Sequence, residues 1–300
     1  MLTTFADLEK QTARLPARTV ALVIAQDARL QEAAFKLESD NLLRTLFIGD
    51  RAAIQEAAAR LGRLIPEEHI FEASNPANAA SLAVKIAREG KADFLMKGKL
   101  ETAELLRPVV NRETGLFRGA VMSHVALFEV PAYRKLLAVT DGGMLPYPTL
   151  EQKKGIIRNA VGLLHAIGYE NPKVCILAAT EKINQKMPET MEAALLKDMA
   201  NSGELGDCTA EGPISLDLAL TKERSGDKGY ASPCAGDADL LVVPNIHAGN
   251  ILGKCLVEMA KAKMAGLVVG AQCPIALASR GSSAEELRRS LLLARAVCGM

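Results

Sequence analysis

The sequence predicts an α/β protein with mostly parallel sheets, in two domains more readily than one. Three observations carry that expectation. Short apolar runs rich in Val, Ile and Leu recur roughly every 20–25 residues in the first third of the chain, as buried strands do. Between them lie apolar-periodic segments opened by Asp, Asn-Pro or Thr and closed by Gly, the alternation that βαβ units produce. The length of 300 residues with 49% hydrophobic content supports a substantial core, divided more readily into two domains than one.

Taken in order, an amphipathic segment precedes a strand over Thr19–Ala25, and Asp27 caps a helix through Glu38. Thr45–Ile48 is the next strand, and Asp50 caps a helix over Arg51–Leu61. A short strand near Ile70–Phe71 leads to a helix over Ala77–Arg88 that starts after Pro76 and stops at Gly90. Asp93–Met96 is a strand ending in Lys97-Gly98-Lys99, and a helix begins within Leu100–Pro108. Residues 111–135 read as a longer loop with short strands, and Leu136–Val139 as a strand stopped by Thr140-Asp141-Gly142-Gly143. Met144–Pro148 is the candidate hinge. Thr149 and Gln152 then form a capping box for a helix through Ile167. Lys173–Ala178 is a strand, and Pro188 starts a helix to Met199. Gly203–Gly212 is turn-rich, Ile214–Leu220 is short and helical, and Lys222–Gly236 is either a mobile loop or an exposed connection.

The stretch Ala238–Leu287 organises the rest. Asp239–Val243 is a buried strand ended by Pro244, and Asn245–Asn250 opens a helix. After Gly266 come a strand and then another over Ile275–Ala278, which ends in Ser279-Arg280-Gly281-Ser282-Ser283. The last helix covers Ser283–Val297. Ligands of open α/β sheets bind in loops at the carboxyl ends of the strands, and both polar loops leave such ends.

Composition narrows the function. Lys plus Arg is 36 and Asp plus Glu 35, a net charge of +1 with no basic stripe, so neither nucleic acid nor a charged membrane is implied. No apolar run is long enough for a membrane span, and the first residues cannot form a signal-peptide core. The six scattered cysteines show no C-x-x-C, which fits free thiols in a reducing cytoplasm. There is no G-x-G-x-x-G, no G-x-x-x-x-G-K-[ST] and no G-x-S-x-G, and no Cys/His cluster for a metal.

Ser279, Arg280 and Gly281 form the sharpest candidate site. An Arg at a strand end should meet an anion, and a phosphate accepts two parallel bonds from it. The alternative is an Arg paired with a surface carboxylate and a Ser that only caps. Glu286 completes a capping box with Ser283, as Glu285 does with Ser282, so it is either a cap or a functional carboxylate. Asn245, His247, Gly249 and Asn250 gather before a helix N-terminus, where Asn250 is alternatively the cap. Thr102 and Arg107 reach a phosphate if the first helical turn faces the cleft, although five residues apart they need not share a face. Lys97 and Gly98 end the preceding strand.

With those residues in view, the chain resembles the phosphate acetyltransferase and phosphate butyryltransferase family over nearly its whole length. The resemblance is carried by Thr102-Ala-Glu-Leu-Leu-Arg107-Pro108, Gly212-Pro213 with Asp217, Ala235-Gly236-Asp237-Ala238-Asp239, Pro244-Asn245-Ile-His-Ala-Gly-Asn250 and Ser279-Arg280-Gly281. The Lys97-Gly98 context and Thr140-Asp-Gly-Gly-Met144 look more like the butyryl branch. The resemblance implies interconversion of acyl-CoA plus phosphate with acyl phosphate plus coenzyme A, no tightly bound cofactor, a cytoplasmic location and a homodimer or higher homo-oligomer. It implies an isocitrate/isopropylmalate dehydrogenase-like architecture, two α/β/α domains with mostly parallel sheets around a central cleft, in which the chain returns to its first domain, giving residues 1–143 with 279–300 and residues 144–278. It also implies catalytic roles for Ser279, Arg280 and Arg107, with Glu286 where related acetyl enzymes carry an Asp. The rivals are an NADP- and metal-dependent dehydrogenase of the same architecture and a non-catalytic metabolite-binding protein.

Overall fold

The computed structural model describes residues 2–119, 121–277 and 281–298. The chain divides into two compact units, one formed by Leu8–Ala120 with Ala265–Gly299, the other by Met1–Asp7 with Val121–Met264.

The first unit follows α1 (Phe5–Thr12) with β1 (Arg18–Val23), α2 (Ala28–Ser39), β2 (Leu43–Gly49), α3 (Arg51–Arg60), β3 (Ile70–Glu72), α4 (Pro76–Arg88), β4 (Phe94–Lys97) and α5 (Thr102–Val109). Its helices begin where the sequence supplies acceptors. Asp27 takes the Arg29 N–H at 2.9 Å, Asp50 the Ala53 N–H at 2.8 Å, and Asn75 the Asn78 N–H at 2.9 Å, with Pro76 pre-set for the first turn. β1 pairs in parallel with β2 on one side and β4 on the other, so Val20–Val23 and Phe94–Met96 are buried on both faces.

The second unit contains β5 (Ser123–Glu129), β6 (Leu137–Thr140), α6 (Leu150–Ala166), β7 (Lys173–Leu177), α7 (Pro188–Asn201), β8 (Thr209–Ile214), α8 (Leu216–Leu220), α9 (Lys222–Asp227), β9 (Leu240–Val242) and α10 (Ile246–Glu258). The chain then passes through β10 (Lys263–Val269) and β11 (Ile275–Leu277) to α11 (Ala284–Val297). Within the second unit the strand order is β5-β6-β9-β7-β8, parallel except that β5 runs against β6. Phe128, Val139, Cys175, Ile214, Leu218 and Leu241 fill its core. The Asp237-Ala238-Asp239 run turns out to hold that core's edge. Lys135, only 1% exposed, sits 2.6 Å from both carboxylates, and Arg134 and Lys173 pair with Asp237.

In the first unit the order is β3-β2-β1-β4-β11-β10, with β11 parallel to β4 and antiparallel to β10. The units therefore divide at other places than the expected 143/144 and 278/279. β5 and β6 belong to the second unit, where β6 pairs with β9, and β11 belongs to the first, where it pairs with β4. Several elements differ from expectation, among them the helix α9 inside Lys222–Gly236. Residues 111–135 contain a seven-residue strand, β5, and the turn-rich stretch after Gly203 contains β8. β8 pairs only with β7 and ends the sheet order, a place where the missing N–H of Pro213 is tolerated. Among the described residues no helix is long and apolar enough to cross a membrane.

Candidate active site

In the first unit, β1, β4 and β11 run parallel side by side, so the loops after them leave one edge of the sheet. β4 ends in Lys97, which is 6% exposed. Its ammonium group donates to the carbonyls of Gly98 at 3.3 Å and Leu100 at 3.0 Å, and so ties down the loop it heads. Gly98 lies directly on the end of β1. Its N–H bonds the Val23 carbonyl at 2.8 Å, and a Cβ there would come within 2.3 Å of the Ile24 carbonyl oxygen. Only glycine fits this approach. Ile24 itself has φ +59°, an uncommon state for a β-branched residue.

α5 follows at once. Its cap is Glu101, not Thr102, and Glu104 reaches back to the Glu101 N–H at 3.0 Å. Thr102 is the first helical residue and is half-buried, whereas Arg107 is exposed and makes no hydrogen bond or ion pair among the described residues. Five residues of helix place the two about 140° apart, so they do not share a face.

Ser279 and Arg280 lie outside the described residues. Gly281 is exposed, Ser282 is buried, and α11 starts with the Ser283 cap. Glu286 completes the capping box. Its Oε2 accepts the Ser283 N–H at 2.8 Å and lies 3.3 Å from the Ser283 hydroxyl, which in turn takes the Glu286 N–H at 3.3 Å. Both contacts use one oxygen, and Oε1 makes none among the described residues. Glu285 does not cap Ser282 but pairs with Lys36 at 2.8 Å. The N-termini of α5 and α11 thus follow adjacent parallel strands, with backbone N–H groups at the same sheet edge.

In the second unit the Pro244–Asn250 residues divide by role. Asn245, not Asn250, caps α10 through the Ala248 N–H at 3.1 Å. Gly249 packs backbone to backbone on Gly142, where a Cβ would sit 2.6 Å from the Gly142 Cα. His247 and Asn250 are exposed. The His247 ring lies 5.6 Å from Tyr147, and the Asn250 amide reaches 3.5 Å from the Gly142 carbonyl. The turn that Gly249 rests on is built around buried Asp141, whose carboxylate accepts N–H groups from Gly143, Met144 and His124 at 2.9, 2.8 and 3.2 Å. The half-buried His124 has an unpartnered, buried Nδ1. Burial lowers its pKa below the ordinary 6.5, against an opposing pull from the Asp141 charge. A separate apolar groove of about 490 Å³ lies at the ends of β7 and β9, lined by Leu177, Met187, Leu216, Val243 and Leu252 among others.

The sequence marks Asp27 as a cap and Asp141 as a turn, and leaves His124 inside a loop. Among the described residues no three His, Cys, Asp or Glu side chains gather as a metal site.

Residues 65–295 match the model of the phosphate acetyl/butaryl transferase family. The chain belongs to that family. It is 38% identical over 299 residues to the phosphate butyryltransferase of Clostridium acetobutylicum, covering 100% of this chain and 99% of the relative. It is 37% identical over 291 residues to the phosphate acetyltransferase of Thermotoga maritima, covering 95% and 98%. The crystal structure of a branched-chain phosphotransacylase from Enterococcus faecalis superimposes with a TM-score of 0.81 at 32% identity, covering 93% of this chain and 99% of that one. This member of the phosphate acetyl/butaryl transferase family is an enzyme, a phosphate acyltransferase, which sets aside the dehydrogenase and non-catalytic alternatives.

Proposed function

We propose that this chain transfers a short acyl group, C3 to C5 and centred on butyryl, between coenzyme A and phosphate, directly within one ternary complex. The observation that carries the reading is Glu286. It is a carboxylate fixed at the start of α11 by one oxygen, the other making no bond among the described residues, and α11 follows the strand next to β4, which ends in Lys97 and leads through Gly98 to α5. In the direction of thioester formation, that second oxygen takes the thiol proton of coenzyme A. The thiolate attacks the carbonyl carbon of the acyl phosphate, a C–S bond forms, and the C–O bond to phosphate breaks. Arg280 and Arg107 hold the phosphoryl oxygens, while Ser279, Gly281 and backbone N–H groups steady the charge growing on the carbonyl oxygen. Positioning the two reactants together supplies much of the rate. Burial pushes the Cys273 and Cys298 thiols up to about 12, which keeps both protonated and poorly nucleophilic near neutral pH.

The test is a phosphate-dependent thiol-release assay over C2 to C6 acyl-CoA substrates. The reading expects a maximum at C3–C5. Equal or faster turnover of acetyl-CoA would overturn the butyryl preference and leave the family intact. Mass spectrometry of enzyme mixed with acyl-CoA alone should show no acylated protein.

The same reading places the enzyme in the cytoplasm, in keeping with six free cysteines, and makes it a homodimer. Met187 at the cap of α7 and Met191 and Leu195 on that helix are exposed at four-residue spacing, and Ile251 on α10 and Met259 at its end are exposed too, apolar side chains suited to contact with a second copy. Light scattering should return twice the 32.0 kDa chain mass, and a monomer at micromolar concentration would refute this part.

A further inference from the structure

We propose that Arg29 is a positioning residue for acyl transfer, holding the chain's entry into α11 so that Glu286 faces the reacting thiol. The inference rests on the acyl-transfer reading above. It begins with the cap of α2. Asp27 Oδ1 accepts the Arg29 backbone N–H at 2.9 Å and its Nε–H at 3.2 Å, and Oδ2 faces the Nη2 group at 2.9 Å. The carboxylate therefore fixes one side of the guanidinium fork. The other side, Nη1, donates to the carbonyl of Ser282 at 3.1 Å, across 253 residues of sequence. Ser282 is 3% exposed and is the residue before the Ser283 cap.

The geometry gives this bond a consequence that an ordinary surface contact lacks. The acceptor lies immediately before the cap, where the chain direction sets the axis of the helix that follows. Glu286 sits on the first turn of that helix and borrows its orientation from Ser283. By sequence, Ser279 and Arg280 come three and two residues before Ser282. The donor is pre-ordered by Asp27, so little freedom remains to be lost when it engages the carbonyl. A second α2 cation, Lys36, meets Glu285 at 2.8 Å, but both partners of that pair are more than half exposed, which makes it a control of small weight. A misplacement of about 1 Å at a reacting group costs roughly 100-fold in rate, the scale at which loss of such an anchor is felt.

The experiment compares wild type, Arg29→Ala, Arg29→Lys and Lys36→Ala in kcat and KM for butyryl-CoA, with thermal unfolding alongside. Arg29→Ala should lower kcat by about 10- to 100-fold with KM for butyryl-CoA changed less than about twofold. Arg29→Lys should recover little, because an ammonium group cannot hold Asp27 and Ser282 at once. It also keeps the charge, which guards against a folding defect in the alanine variant. Lys36→Ala should match wild type. The deciding readout is Arg29→Ala placed in a Glu286→Gln background, where the residue to be oriented has lost its proton-accepting role. There the further loss should shrink to about twofold or less. Wild-type kcat in Arg29→Ala, or the same fold-loss in both backgrounds, overturns the proposal. If wild type turns over while Glu286→Gln is inactive and Arg29→Ala is unaffected, only this inference fails. If wild type releases no thiol with phosphate present, the acyl-transfer reading and the inference fall together.

Discussion

Glu286→Gln separates two jobs that one side chain performs. As a cap, Glu286 accepts the Ser283 N–H at 2.8 Å through Oε2. Glutamine offers an amide oxygen to the same donor and is a normal partner in a capping box. The swap exchanges a charge-assisted bond for a neutral one and removes an anion from the first turn of α11. It should cost about 0.5–1 kcal/mol, or about 1–4 °C in unfolding temperature at this size. Glu286→Ala removes the cap as well, for about 1–2 kcal/mol in all. The chemical effect is larger. Loss of a general base costs about 100- to 10,000-fold in rate, equivalent to roughly 3–5 kcal/mol. The assay is kcat for butyryl-CoA formation from butyryl phosphate and coenzyme A, beside a thermal melt of each variant. The account expects both variants to be slowed at least 100-fold, with only alanine clearly less stable. Glu286→Gln with more than half of wild-type kcat refutes the base assignment and leaves Glu286 a cap alone.

Other expectations follow from single contacts. Gly249→Ala puts a Cβ 2.6 Å from the Gly142 Cα and 2.8 Å from Val243 Cγ2, so α10 must lift from the Asp141 turn; a loss of about 1–3 kcal/mol in urea unfolding is expected, and an unchanged midpoint would contradict the packing described. Lys135→Met strips the cation from between Asp237 and Asp239 and strands a buried charge, for about 3–5 kcal/mol; a loss under 1 kcal/mol would show the carboxylates are otherwise satisfied. His124 has a folded pKa below its ordinary 6.5, so as pH falls below 6.5 the unfolded chain takes up the proton first and stability declines towards the folded value. His124→Gln should flatten the slope of unfolding temperature between about pH 7.5 and 5.5, and an unaltered slope would move that titration elsewhere.

What was legible in the sequence was what local chemistry fixes. Asp27, Asp50, Thr149 and Ser283 announced helix starts because a short oxygen-bearing side chain before an apolar-periodic segment has few other uses. β1 and β4 were legible because strands buried on both faces are continuously apolar. β8 was hidden because Gly212 and Pro213 read as turn residues, and only its place beside β7 at the end of the sheet order makes them acceptable. A Pro-rich stretch such as Met144–Pro148 looks like a hinge, whereas strand partners decide membership: β6 pairs with β9 beyond that stretch and carries β5 with it. At the site, Glu286 was correctly suspected of capping, and Asn245 rather than Asn250 proved to be the α10 cap. Arg29 escaped notice since its partner is a backbone carbonyl 253 residues away, and no spacing rule reports such a contact.

The account's central claim is that phosphate is the acyl acceptor and is gripped by Arg280. Its most direct measurement is release of free thiol from butyryl-CoA, with and without inorganic phosphate, by wild type and by Arg280→Ala. The account predicts release that requires phosphate in wild type and falls by about 100- to 1,000-fold in the variant, the loss typical of one donor to developing charge. Thiol release that proceeds equally well without phosphate, or that Arg280→Ala leaves untouched, would contradict it.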